Sequence, residues 1–411
     1  MGRVIDAVVF VGMSLLASAD DVWELPPIRY SESAPASPPG PALTGGNFAD
    51  LGQVERVRRV LKSLSIPEES QILVFSKTSK QNDLISPGTP RALYFSENAY
   101  AGFVPGGMME VALHDPLLGV VFYLVDLQNP TTLPLVHRET GDCLSCHGTA
   151  RTEDVPGVLV RSVFPDADGR PMLAFGSSQV DASTPLASRW GGYYVTGHSS
   201  LPHFGNRVFR EEDEVPVAEL TTLENVTETI DASRYPRTTS DIVALMVLEH
   251  QCDLNNRMTA AAMRYRRTYW LGKLFDKSSD PDLATAGKLA DEDAKEIVDR
   301  LLFKNEASIG DGVEGDEAFQ NAFTKRFPRT ANGDSLADFH LASHLFKNRC
   351  SYMVYSQAFA QLPERVKSAT IKRLRAVLDG AEAQEEFAYL KEPERQRISA
   401  ILRETLPAFA N

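Results

Sequence analysis

At 411 residues, with 43% hydrophobic and 24% charged positions, the chain has material for a sizeable core, and its length fits two domains or one domain with a large extension. A formal net charge of -13 argues against binding nucleic acid, which takes a clustered Lys/Arg surface to neutralise phosphates. Four cysteines, Cys143, Cys146, Cys252 and Cys350, are too few for a disulfide framework in a chain this long.

Residues 1–19 read as a secretory signal peptide: Arg3, an apolar run and the small residues Ala17-Ser18-Ala19 of a cleavage site. The run falls short of the ~20 residues a bilayer span needs, so the expectation is export, as to a periplasm, with no transmembrane span after cleavage. Residues 20–47, rich in Pro, Gly and Ser, read as a linker. Helical spacing covers 49–65 and stops at Pro67. From about 70 to 210, apolar runs at 72–75, 92–95, 109–113, 118–125, 158–163, 172–175 and 193–196 alternate with turn-forming residues and read as strands. Beyond 215 the periodicity becomes helical, at 240–271, 284–305, 335–361, 364–379 and 392–406, with Ser335 and Asp338 marking one start. Strands first and helices second predict an α+β protein: a domain built on a mixed sheet at 48–215, then a mostly α-helical domain at 216–411.

One motif carries chemistry. Cys143-Leu144-Ser145-Cys146-His147 is a CxxCH. Two thiols at this spacing can add to the two vinyl groups along one edge of a porphyrin, and the next residue then offers an imidazole to the iron. The reading is one covalent haem c on Cys143 and Cys146, with His147 as proximal ligand and its second ring nitrogen held by an acceptor such as a backbone carbonyl. A zinc site would need further paired ligands, a thioredoxin-type dithiol would need a βαβ setting, and a plain disulfide is a third alternative.

The stretch from Cys143 through VPG, RWGGYYVTG and HSSLPHFGN resembles a family of bacterial exported proteins with a single cytochrome c-type motif. LMVLEHQ near 250 and FKNRCSYMVYSQAF near 350 share in that resemblance. It extends over most of residues 70–360 and implies covalent haem and export, without supplying a substrate. Tyr193 stands where the family usually has Trp, and the segment around His198 is shorter than the family's.

The second axial position separates the functional alternatives. His203 and His198, in a Gly/Pro/Ser-rich loop, are candidates, as is His250 on the apolar face of a predicted helix. Met172, Met108 and Met109 could supply a thioether, although core packing is the commoner role of such residues. Arg161 and Arg189 are candidates to pair with haem propionates. His340 and His344 read as part of a solvated helix surface, and Cys252 and Cys350 as either a disulfide or two buried thiols. The expected function is electron transfer with an unidentified redox protein. A haem-based sensor or small-gas binder, and a peroxidase-like oxidoreductase, are the alternatives.

Overall fold

The computed structural model of the chain describes residues 21–39, 43, 48–128, 135–212, 215–275, 277, 280, 284–381 and 385–410. The signal-like segment 1–19 lies outside the described residues.

The strand-rich region forms an antiparallel sheet. Strands β1 (Ile72–Val74), β2 (Arg91–Ser96), β3 (Ala99–Phe103), β4 (Met109–Asp115), β5 (Gly119–Val125) and β6 (Val136–Glu139) follow one another, and β1 also pairs with a later two-residue strand, Tyr193–Tyr194. The spatial order is therefore the chain order with one late strand added beside β1. Pairing puts Leu93 beside Gly102, Gly102 beside Glu110 and Glu110 beside Leu124; the next rung joins Tyr100, Ala112 and Phe122. Because side chains alternate along a strand, these residues share one face, and its two smallest members leave a hollow.

Residues 21–39 of the segment expected to be a linker are packed instead. Trp23, Ile28 and Tyr30 are buried, the Tyr30 hydroxyl donates to the Val120 carbonyl, and the Arg138 guanidinium lies over the Tyr30 ring. The Pro/Ser composition hid three large side chains spaced too irregularly to register as helix or strand. Trp23→Ala is expected to cost ~3–5 kcal/mol of stability, measurable as an earlier urea midpoint.

Helices α1 (Gln53–Ser63), α3 (Ile242–Phe275), α4 (Thr285–Leu301), α7 (Glu364–Leu378) and α8 (Glu392–Thr405) match the predicted periodic stretches, the one-turn α2 (Leu144–His147) holds the cysteine motif, and α5 (Glu317–Thr324) follows α4. Helix α3 is buried from Ile242 to Met263 except at Asp253, polar residues such as Glu249, His250 and Asn256 included. The region 335–361 is not the long helix its spacing suggested. Phe339 and Phe346 form an antiparallel bridge, and helix returns only at Tyr352–Tyr355 and α6 (Gln357–Ala360). Aromatic packing decides this, because Phe323, Phe339, Phe346 and Tyr352 pile together, with Leu341 in the left-handed region at the turn. His340 and His344 stack there at 4.3 Å rather than sharing a helix face. Residues 173–175 are likewise a 3-10 turn rather than a strand.

Buried residues from Trp23 to Phe409 make one continuous core, so position 215 marks a change of secondary structure and not a gap between two cores. Among the described residues no helix is long and apolar enough to cross a membrane.

Candidate cofactor site

The cysteine motif follows β6. Its single turn is closed by backbone bonds from the His147 and Cys146 N–H groups to the Cys143 carbonyl, at 2.9 and 3.2 Å. Gly148 ends the turn: a Cβ there would come within 2.7 Å of the Trp23 ring, so the loop and the amino-terminal segment can meet only at glycine. The Gly157 N–H then donates to the His147 carbonyl at 2.9 Å, while Nδ1 of His147 lies 2.9 Å from the Gly157 carbonyl. With Nδ1–H donated, Nε2 is the nitrogen left with a lone pair. The backbone acceptor expected at this ring is in place.

Helix α3 fixes the far side of this loop. Asn256 accepts from the Val158 N–H at 3.0 Å and donates to the Val158 carbonyl at 2.7 Å, copying a strand pairing with one side chain. Glu153 in the same loop pairs with Arg257 of α3 and Arg300 of α4. A Cβ on Gly157 would collide with the Asn256 amide. Gly157→Ala is accordingly expected to cost ~1–3 kcal/mol and to loosen His147, which a urea titration and the imidazole's NMR line shape would report.

Between this loop, the hollow sheet face and α3 lies a cavity of about 270 Å³ that opens to solvent. Ligand pockets run to roughly 300–1,000 Å³, so the enclosed space is at the small end and a larger group would extend into the mouth. Cys143, Cys146 and His147 stand on its wall, with Phe122 at 5.1 Å from the His147 ring; Leu248 and Cys252 of α3 face it from the other side. The helical region thus covers the site.

The cavity also carries a polar pole. Arg91 pairs with Glu110, which accepts further bonds from Ser79 and Gln81 at 2.7 and 3.1 Å. Burial works against the Glu110 charge, but the guanidinium and these donors more than offset it and hold the carboxyl below the usual range. A Cβ on Gly102 would lie 2.6 Å from the guanidinium, so glycine lets Arg91 lie against the sheet. Burial, reinforced by Glu110 and Glu139, pushes the Cys143 thiol up to about 12. A reactive dithiol needs the opposite shift. Burial also pushes the His147 imidazole down, favouring the neutral form that ligates a metal. Among the described residues no group of three or more His, Cys, Asp or Glu side chains converges as a zinc site requires, and all four cysteines are unpaired, Cys252 and Cys350 as buried thiols.

The other predicted residues fall elsewhere. His203 is buried against Trp190, where its Nδ1 accepts from the Gly205 N–H at 3.1 Å. His250 stacks on Phe303 at 4.1 Å and bonds the Ser351 hydroxyl at 2.7 Å. Neither is on the cavity wall, because α3 turns Leu248 and Cys252 toward the cavity and His250 into the core. His198 is exposed, on a strand paired with Val313–Glu314. Met109 is buried on the opposite sheet face from Glu110, and Met172 precedes the 3-10 turn. Arg189 is not a free propionate partner: it is buried in an ion pair with Glu249. Arg161 lies off the wall, donating to Ser177 at 3.1 Å. Arg91 and Glu110 were the residues missed. Their signal was one charge at each apolar run, Arg91 just before 92–95 and Glu110 within 109–113.

Burial holds the imidazoles of His203 and His250 near 4 and 3 respectively, below the ordinary 6.5. Their neutral state favours the fold fully above about pH 6.5, and that advantage is lost as pH falls toward 4 because the unfolded chain takes up the protons. Urea midpoints should fall between about pH 7 and pH 5, each histidine adding a slope of up to ~1.4 kcal/mol per unit.

No protein-family model matches the chain, and neither does any curated protein or solved structure.

Proposed function

We propose that the chain is an exported c-type cytochrome that holds one covalent haem and passes single electrons to and from a protein partner. The class follows from the donor set: two unpaired thiols three residues apart and an adjoining imidazole, all on the wall of one open cavity. The observation that carries it is the His147 ring, whose Nδ1 is spent on the Gly157 carbonyl so that Nε2 is free for iron. Each thiol would add across one vinyl group, sulfur to one carbon and hydrogen to the other, with no change in electron count. The bound haem would supply a one-electron couple. The chain's own residues hold the imidazole, exclude water with Phe122, Leu248 and Cys252, and keep Glu110 neutralised by Arg91.

Reduced and oxidised spectra of protein matured in cells with a haem-attachment apparatus test this. Sharp low-spin bands in both states support the electron carrier. A high-spin ferrous spectrum that shifts quickly with CO would favour the small-gas binder, and no haem bands at all would remove the proposal.

A further inference from the structure

All eight histidines of the chain lie in described residues, and only His147 is on the cavity wall. A bis-imidazole site is therefore not built here. The remaining neutral donor of the right kind is a thioether, and Met108 is the one methionine among the described lining residues.

Its placement has two supports. Met108 immediately precedes β4, and continued alternation puts it on the same side as Glu110 and Ala112, which both line the cavity, while Met109 points away into the core. Its backbone is then clamped by one side chain. The Met108 N–H donates to Gln81 Oε1 at 2.7 Å, and Gln81 Nε2 donates to the Met108 carbonyl at 3.0 Å. The preceding carbonyl, of Gly107, accepts from Gln128 at 2.7 Å. A fixed backbone thus presents a half-buried side chain whose flexibility lets sulfur find the metal.

The competing donors on the wall are worse placed. Lys80 is more than half exposed and lies 3.7 Å from Asp142, and Glu110 is spent on Arg91, Ser79 and Gln81. Tyr100 and Cys252 would each have to lose a proton in the apolar depth of the cavity, where burial penalises the anion.

We infer that Met108 is the second axial ligand of the haem iron, opposite His147. This rests on the haem reading above. It makes the site a coordinatively closed one, suited to electron transfer rather than to gas binding, and it should raise the reduction potential relative to a second imidazole.

The test compares intact mass and absorption spectra of the wild-type protein with those of Met108→Ala, Met108→Leu and Met108→His, all matured in the same cells. The wild type should carry one haem by mass, be low-spin in both oxidation states and show the weak sulfur-to-iron charge-transfer band of a ferric thioether complex. Met108→Ala and Met108→Leu should keep the haem mass but lose that band, turn high-spin and bind CO when reduced. Met108→His should restore the low-spin spectrum without the band and lower the potential. Because all three variants keep the covalent link, a folded, haem-bearing Met108→Leu protein with an unchanged low-spin spectrum would overturn the assignment while leaving the haem reading intact. A high-spin wild type would overturn it as well. A wild type without haem mass would overturn both.

Discussion

Replacing Cys143 and Cys146 together with alanine is expected to yield a protein from which all haem separates in acidified organic solvent, whereas the wild type keeps its haem on the polypeptide. The reason is that the two sulfurs are the only thiols at the cavity mouth: Cys350 is in the core, and Cys252 sits on α3 at the other side of the cavity. The fold should survive the change. Cys146 is exposed, Cys143 is half-buried, and the turn that carries them is closed by main-chain bonds, so the stability cost should stay within ~1 kcal/mol. His147→Ala separates the second role from the first. With both thiols intact but no imidazole, haem that attaches should be high-spin and labile toward exogenous imidazole, and adding imidazole should recover part of the low-spin spectrum. Heme-stained denaturing gels and absorption spectra of the two variants read these outcomes directly.

A large loss of stability is expected in the core, at Glu249→Ala. Glu249 is buried on α3, where it accepts from Arg189 at 2.6 Å and from the Trp190 indole; the same guanidinium donates to the Thr184 and Ala182 carbonyls at 2.7 and 3.2 Å. Removing the carboxylate strands a buried guanidinium and a buried indole N–H at once. Breaking such a pair costs ~3–5 kcal/mol, enough to unfold a marginal domain. Glu249→Gln keeps an acceptor for the indole and should cost less, by roughly half. Urea unfolding of the two variants beside the wild type gives the comparison.

That contact also explains what the RWGG block does. Trp190 and Gly192 both sit at positive φ, and a Cβ on Gly191 would run into the Val163 carbonyl. The block is a tight joint that brings Tyr193–Tyr194 alongside β1 and sends Arg189 down to α3. Arg189 has the bidentate guanidinium a propionate would take, yet the joint serves the fold: the guanidinium is paired with Glu249 and is not on the cavity wall.

Local patterning made the regular elements legible. The alternating runs at 92–95 and 109–113 became β2 and β4, and the long periodic stretch at 240–271 became α3 within a few residues of its predicted ends. Strand β3, Ala99–Phe103, escaped notice because its small residues carry little apolar signal, although those same small residues hollow the sheet face at the cavity. The motif at 143–147 could be read because its chemistry is local: thiols and imidazole within five residues. Its surroundings could not, because Gly157, Asn256, Arg91 and Glu110 reach the site through folding, from separations no short pattern encodes. A choice among the candidate second ligands could not be made from sequence for the same reason. His203 and His250 had suitable chemistry, and only packing shows that one is spent under Trp190 and the other against Phe303.

Intact-mass spectrometry of mature protein from cells able to attach haem decides whether sulfur is bonded to porphyrin: the expected result is the polypeptide mass increased by one haem, an increase absent from the Cys143→Ala/Cys146→Ala protein. A mature, folded wild type at the bare polypeptide mass would contradict it.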